Sequence, residues 1–283
     1  MEWKEQYERM RQRLQPLYGN GEASALARLL CEWVGKEPLG KLNALALTPV
    51  AFTQLESGLE ELLLHRPLQY ITGEAWFYGR TFRVNPSVLI PRPETEELAD
   101  LIIRWVKAKQ ELRKPLRILD IGTGSGCLAI TLQLEIPGAS VTALDISPEA
   151  LATAAANGRL LQAVVDWCNS NFLDPEQQAN LGNFDVIVSN PPYIAAAEAD
   201  HLQASVVQHE PREALFVPDA DPLIFYRAIA DFGITHLLPG GRIYTEINQR
   251  LGPETAAIFR SAGYAGVDLQ KDMSGNDRFV IAE

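Results

Sequence analysis

The chain has 283 residues with 47% hydrophobic and 22% charged side chains, which is the composition of a globular protein, and its net charge of −11 argues against a duplex-DNA binder. Its three cysteines form no CxxC pair, so neither a zinc site nor a disulfide framework is predicted, and we expect no metal. The charged N-terminus and the lack of a long apolar run predict a cytoplasmic protein with no membrane segment.

Residues 1–67 are predicted to form a small helical bundle. Apolar side chains recur at the spacing of one helical face at Leu26, Leu29, Leu30 and Trp33. Gly35 is placed to end that helix. A second helix is predicted to begin at Thr48-Pro49, a capping residue followed by a proline, and to end at His65-Arg66-Pro67.

Residues 68–93 are predicted to form a β-hairpin linker. The stretch from Ala75 to Val84 is rich in aromatic and β-prone residues, and Gly79 lies at the expected turn. Pro91 and Pro93 prevent a helix from starting early. Helical spacing then resumes within a third segment, residues 94–283, at Leu98, Leu101, Ile102 and Trp105.

Strands and helices alternate from Leu116 onward. Strands are predicted over 117–122, 141–145, 163–171, 184–190, 241–247 and 278–283. Helices are predicted over Cys127–Glu135 and from the cap Ser147-Pro148 to about Gly158. This alternation indicates an α/β domain with a mostly parallel sheet covered by helices on both faces.

A cofactor loop is predicted between the first of these strands and the helix that follows. Gly122, Gly124 and Gly126 would let a ligand approach the backbone closely, and the helix N-terminus offers N–H groups to an anion. Asp145, at the end of the second strand, is placed to bind a ribose. A dinucleotide or S-adenosylmethionine would suit this plan, although Cys127 departs from the dinucleotide pattern. Phe172 could stack on an adenine or belong to the core.

The catalytic and substrate-binding residues are predicted to lie in the segment Asn190-Pro191-Pro192-Tyr193, at the end of the fourth strand. Its two prolines stiffen the turn, so that the Asn190 amide oxygen and the Pro191 carbonyl would converge on one NH2 group. Tyr193 offers a flat face to a planar group. Such a site suits a side-chain amide or an exocyclic base amine, with orientation supplying most of the catalysis.

The sequence LDIGTGSG, Asp145 and NPPYI together resemble class I, Rossmann-like amino-methyltransferases, which have a seven-stranded sheet. The preceding QYITGEAWFYGRTFRVNPSVLIPRPETEEL resembles the HemK/PrmC-type family of peptide chain release factor glutamine N5-methyltransferases. The resemblance spans roughly Gln69 to Glu283. One departure follows the sequence EPREAL, where Phe216-Val217-Pro218-Asp219 replace a glycine-containing run.

The resemblance implies S-adenosylmethionine as the methyl donor and the glutamine of a Gly-Gly-Gln motif in class I release factors as the acceptor. It also implies that residues 1–67 recognise that protein and that Asn190 to Tyr193 hold the glutamine. The residues implied to bind the cofactor are Gly122, Thr123, Gly124, Gly126, Asp145, Phe172 and Asn190, with Pro91 and Arg92 at the entrance. Stable nucleic-acid binding is not expected.

Three alternatives stay open at this stage. The first is methylation of an exocyclic amine in DNA or RNA, which requires a flipped or single-stranded base. The others are a cofactor-binding adaptor without catalysis and a nicotinamide oxidoreductase. His201 and His209 are expected to have surface or packing roles, and the contacts of Glu246 are not predicted.

Overall fold

The computed structural model describes residues 2–109 and 115–283. The chain forms two compact units: the first comprises Met1–Glu74 and Gln203–His209, and the second comprises Ala75–Leu202 and Glu210–Glu283. None of the helices in the described part of the chain combines the length and the apolar character needed to cross a membrane.

The first unit consists mainly of helices. They cover Trp3–Gly35, Leu39–Leu42, Pro49–Leu63, Leu68–Thr72 and Ala204–His209. The longest helix ends at Gly35 as predicted but begins far earlier, and it departs from helical geometry at Gly19. The predicted cap is confirmed, because the Thr48 hydroxyl accepts a hydrogen bond from the Ala51 amide at 3.2 Å. Fully buried side chains such as Met10 and Leu55 form the core of this unit.

Eleven strands are found in the described part of the chain. They are β1 (Glu74–Phe77), β2 (Arg80–Arg83), β3 (Arg117–Ile121), β4 (Ser140–Asp145), β5 (Val165–Asn169), β6 (Phe184–Ser189), β7 (Ile194–Ala195), β8 (Phe216–Val217), β9 (Leu237–Glu246), β10 (Val267–Lys271) and β11 (Asp277–Ala282). The predicted hairpin is confirmed as β1 and β2, joined by Tyr78 and Gly79, both with positive φ.

Seven strands form one sheet in the order β10-β11-β9-β6-β3-β4-β5. The five strands β9, β6, β3, β4 and β5 are parallel to one another, while β11 is antiparallel to β9 and β10. This confirms the α/β fold class with a seven-stranded, mostly parallel sheet. The edge strand β10 was not located from the sequence, because its side chains are only half-buried and form no apolar run.

Helices cover both faces of this sheet. The longer ones of the second unit are Pro93–Ala108, Cys127–Glu135, Pro148–Leu161, Ile224–His236 and Gly252–Ala262. Side chains that alternate along a strand enter two different cores: Ile118 lies in one and Leu119 in the other, and both are fully buried. Burial on both faces explains why the parallel strands read as continuous apolar runs.

The segment after β6 forms a small substructure. A 3-10 helix covers Ala196–His201, a short helix covers Arg212–Leu215, and β7 pairs with β8 in parallel. Another short helix, Pro175–Gln178, lies before β6. The run Phe216-Val217, which departs from the family pattern, is therefore strand β8. Asp219 accepts a hydrogen bond from the Ala197 amide at 2.9 Å, which ties the two halves of the segment together.

Candidate active site

A cavity of about 670 Å³ lies at the carboxyl ends of the central parallel strands. The chain runs from β3 outward to β5 and then returns to β6 on the other side of β3, which makes this edge a topological switch point. The predicted site residues on the cavity wall are Gly122, Gly124, Asp145, Phe172, Asn190, Pro191 and Pro192. The fold thus brings both predicted motifs to one cavity.

The glycine loop and Asp145 are held against each other. Gly122 and Gly124 have φ of 74° and 56°, values that side chains other than glycine rarely adopt. The Gly124 amide donates to Oδ2 of Asp145 at 2.8 Å, and the Ser147 amide donates to Oδ1 at 3.0 Å. Burial raises the pKa of Asp145, and these two hydrogen bonds oppose that rise. The carboxylate therefore keeps a single orientation at the cavity wall.

Thr123 and Gly126 support the loop from behind and are not among the lining residues. The Thr123 hydroxyl donates to Oδ2 of Asp120 at 2.7 Å, and burial raises the pKa of Asp120 to about 7. Gly126 has φ of 80°, and a Cβ there would lie 3.1 Å from side chains of its neighbours. The backbone conformation and the close packing at position 126 therefore require a glycine. Direct contact of Thr123 or Gly126 with the cofactor stays a prediction.

Phe172 lies on the cavity wall, whereas Arg92 does not. Phe172 lines the cavity, yet it is only 5% exposed and packs edge-on against Phe232, so it is both a wall residue and a core aromatic. Pro91 and Arg92 are not on the wall. The guanidinium of Arg92 forms an ion pair with the buried carboxylate of Glu210, and its role at the cofactor entrance stays a prediction.

The Asn190 side chain lies on the cavity wall with its amide orientation defined by a neighbour. Its Nδ2 donates to the hydroxyl oxygen of Thr95 at 3.1 Å, which leaves Oδ1 as an acceptor for a ligand. Directly before it, the Ser189 hydroxyl donates to the carbonyl oxygen of Ile121 at 2.8 Å and joins the ends of β6 and β3. Thr95, in the PRPETEEL segment, was not identified from the sequence.

Glu246 contacts two side chains that surround Asn190. Its Oε2 accepts from the Thr95 hydroxyl at 2.7 Å and its Oε1 accepts from the Tyr193 hydroxyl at 3.2 Å. Glu246 is 1% exposed, and burial raises its pKa to about 7, against the lowering effect of Thr95 and of the nearby Arg278. Tyr193 is partly buried and is not among the residues that line the cavity. Glu246 itself is the last residue of β9, and this position indicates from the sequence that it lies at the same edge of the sheet as the site.

His209 belongs to the first unit, whereas the cavity residues belong to the second. Nε2 of His209 is 3.1 Å from the carbonyl oxygen of Leu64, within the first unit. The side chain of His201 lies outside the described residues. In the described part of the chain, no group of three or more His, Cys, Asp or Glu residues could hold a metal ion.

Comparison with known proteins finds relatives that are similar to this protein over nearly the whole chain. A family described as "Methyltransferase small domain" matches residues 99–215. A release factor glutamine methyltransferase of Bacteroides thetaiotaomicron is 44% identical over 276 residues, which cover 96% of this chain and 97% of the relative. Another, of Lactococcus lactis subsp. lactis, is 40% identical over 254 residues, which cover 88% of this chain and 90% of the relative.

Solved structures share the fold at low sequence identity. The hMettl16 catalytic domain, solved in complex with a MAT2A hairpin, has a TM-score of 0.54 and 18% identity over 72% of this chain and 75% of its own. A T. thermophilus 16S rRNA N2 methyltransferase, solved with AdoMet and guanosine, has a TM-score of 0.53 and 18% identity over 74% of this chain and 49% of its own. Both likenesses concern the fold alone.

Proposed function

The chain belongs to the release factor glutamine methyltransferase family, and from that membership we propose its reaction. It transfers a methyl group from S-adenosylmethionine to the side-chain amide nitrogen, N5, of the glutamine in the Gly-Gly-Gln motif of class I peptide chain release factors. The observation that carries this proposal is the position of Asn190 on the cavity wall, with its Nδ2 bound to Thr95 and its Oδ1 available to an amide NH2.

The cavity fits the cofactor that this family uses. Its volume of about 670 Å³ lies within the range of small-molecule sites. The backbone of Gly122 and Gly124 would hold the carboxylate, Asp145 the ribose hydroxyls and Phe172 the adenine. When bound, S-adenosylmethionine supplies an electrophilic methyl group on its sulfonium. Thr123 and Gly126 would support this site from behind the wall, and Arg92 would lie at its entrance.

The residues of the NPPY segment would act on the substrate amide by orienting it. An amide nitrogen is a poor nucleophile because its lone pair is delocalised, so placement must supply much of the rate enhancement. Oδ1 of Asn190 and the carbonyl oxygen of Pro191 would accept the two N–H hydrogens and concentrate negative charge on the nitrogen. Pro192 stiffens this turn, and the ring of Tyr193 would support the planar group.

We also assign the recognition of the protein substrate to the first unit. Val50 and Leu64 are 70% and 67% exposed on its surface, and we propose that they contact the release factor. Cys31, Cys127 and Cys168 are free, which supports the cytoplasmic location that we propose.

Mass spectrometry tests the reaction directly. The protein is incubated with S-adenosylmethionine and a purified bacterial class I release factor, and the release factor is analysed intact and as peptides. We expect one added methyl group on the Gly-Gly-Gln glutamine and none on a release factor in which that glutamine is replaced by alanine. Methyl transfer to DNA or RNA in parallel reactions, with none to the release factor, would contradict the proposal.

A further inference from the structure

Two hydrogen bonds reach one buried carboxylate, that of Glu246, and a third links Asn190 of the NPPY segment to one of the donors. Nδ2 of Asn190 donates to Thr95, whose hydroxyl donates in turn to Oε2 of Glu246 at 2.7 Å. The Tyr193 hydroxyl donates to Oε1 of the same carboxylate. Thr95 is 3% exposed and Glu246 is 1% exposed, so water does not compete for these groups.

The direction of this chain of hydrogen bonds is set at the carboxylate. An ionised carboxylate only accepts hydrogen bonds, and a threonine hydroxyl has a single hydrogen to donate. Since Thr95 gives that hydrogen to Glu246, it can offer only lone pairs to Asn190. The group that faces Thr95 must therefore be the NH2 of the Asn190 amide, and Oδ1 must face the other way.

We propose that Glu246 is a positioning residue that, through Thr95, fixes the Asn190 amide with its oxygen turned to the substrate. The inference rests on the proposed function, because an NH2 group on the substrate requires an acceptor at this point. In the reversed orientation Asn190 would present its own NH2 to the substrate NH2, and two donors form no hydrogen bond. Glu246 touches neither substrate nor cofactor in this scheme.

Neighbouring contacts hold the carboxylate and the segment in register. The Tyr226 hydroxyl donates to the backbone carbonyl of Glu246 at 3.1 Å, which fixes the end of β9. Nδ2 of Asn248 donates to the carbonyl oxygen of Tyr193, also at 3.1 Å, which fixes the end of the NPPY segment. Binding groups such as the Asn190 amide keep a precise orientation only when neighbouring residues hold them in place, as these contacts do.

The kinetic test compares Glu246→Gln and Thr95→Val with Thr95→Ser. The glutamine NH2 can donate to Thr95, which releases the threonine hydrogen toward Asn190 and allows the amide to reverse, while valine removes the relay. Both variants should lose about 10- to 100-fold in kcat on the release factor. KM for the release factor and Kd for S-adenosylmethionine should stay within roughly threefold, as should kcat of Thr95→Ser.

Thr245→Val is the matched control. Thr245 is a buried threonine next to Glu246 on β9, but its hydroxyl donates to the carbonyl oxygen of Val280 at 3.3 Å and takes no part in the relay. Its replacement removes a buried hydroxyl from the same strand and should leave kcat within roughly threefold. A loss in Thr95→Ser as large as that in Thr95→Val would assign a packing role to Thr95 and overturn the inference.

A spectroscopic readout separates this inference from the proposed function. In protein labelled with 15N-asparagine, the side-chain amide resonances of Asn190 are assigned by their loss in Asn190→Ala. They should shift in Glu246→Gln and Thr95→Val and stay in place in Thr245→Val. Unshifted resonances and unchanged kcat in both relay variants would overturn the inference. If wild-type protein leaves the release factor unmethylated, the proposed function fails, while the resonances still report whether Glu246 orients Asn190.

Discussion

The hydroxyl of Thr95 donates to the carboxylate of Glu246 at 2.7 Å, although the two residues are 151 positions apart in the chain. This contact joins the first turn of the helix Pro93–Ala108 to the carboxyl end of β9 directly behind Asn190. Through Thr95, the segment PRPETEEL thus contacts the side chain of Asn190.

Asn190→Ala should abolish methyl transfer without a comparable loss of cofactor binding. The variant removes the acceptor that orients the substrate NH2, and kcat should fall on the order of 10³-fold, as for the loss of a preorganised group that acts on developing charge. Kd for S-adenosylmethionine, measured by calorimetry, should change less than about tenfold. Asn180→Ala, at an exposed asparagine bound to the carbonyl of Glu176, is the control and should retain full activity. Turnover retained in Asn190→Ala would eliminate the acceptor role.

Asp145→Ala should weaken cofactor binding selectively. Its carboxylate is held at the cavity wall by the Gly124 and Ser147 amides and is proposed to accept from the ribose hydroxyls. Loss of hydrogen bonds to a charged group should raise Kd for S-adenosylmethionine by about 10- to 100-fold, measured by calorimetry. Asp166→Ala, at an exposed aspartate of the neighbouring strand β5, should leave Kd unchanged. Equal affinity in both variants would contradict the ribose assignment.

The pH dependence of kcat should follow the ionisation of Glu246. Burial raises the pKa of Glu246 to about 7, against the lowering influence of Thr95, Tyr193 and Arg278 and with a smaller raising influence of Glu94. Below that pH the carboxyl group carries a hydrogen that it can donate to Thr95, so kcat should fall as the pH is lowered through about 7. The kcat of Glu246→Gln should be low and flat over the same range; a slope equal to that of the wild type would assign the titration to another group.

The stability of the fold should have the opposite pH dependence. A carboxyl group whose pKa is raised in the folded state holds its proton there when the unfolded chain has already lost it. Its stabilising contribution is therefore present at low pH and is lost as the pH rises through about 7. In thermal unfolding, the loss of Tm as the pH rises from about 4.5 to about 7 should be smaller for Glu246→Gln than for the wild type. Asp120, whose pKa burial also raises to about 7, contributes in the same direction in both proteins.

Gly126→Ala should destabilise the second unit. The residue has φ of 80°, and an added Cβ would lie 3.1 Å from side chains of Ala154, Ile130 and Trp167. Strain and crowding together should lower the free energy of unfolding by about 1 to 3 kcal/mol, measured in urea. Gly182→Ala is the control, since a Cβ there has no neighbour within 4 Å and φ is not in the left-handed region. An unchanged midpoint for Gly126→Ala would show that this glycine is not required by packing.

The double variant Val50→Ser, Leu64→Ser should weaken recognition of the release factor alone. Both side chains are exposed on the first unit, so the replacements should not disturb its core. KM for the release factor should rise by about tenfold while KM for S-adenosylmethionine stays constant. Leu45→Ser tests another exposed apolar residue of the same unit, 55% exposed, and shows whether the effect is confined to Val50 and Leu64. Unchanged kinetics in the double variant would remove Val50 and Leu64 from the proposed substrate contact.

Local sequence patterns identified most strands and both motifs of the site. The apolar runs at β3, β4, β6 and β11 reflect burial on both faces of the sheet, a property that adjacent residues display directly. Glycines with positive φ and the paired prolines mark turns through their own backbone restrictions. Because loops that follow parallel strands meet at one edge, these local features also indicated that Asp145 and Asn190 share a cavity.

Contacts between distant segments were decided only by the tertiary structure. The sequence alone determined the residue types, the helical and strand periods and the two motifs, since each depends on neighbours within a few positions. It did not determine that Thr95 and Tyr193 meet at Glu246, that Arg92 pairs with Glu210, or that the half-exposed β10 completes the sheet. Such pairings depend on which helix packs on which strand and at what distance, and hydrogen bonds form only within a few tenths of an ångström of their preferred length.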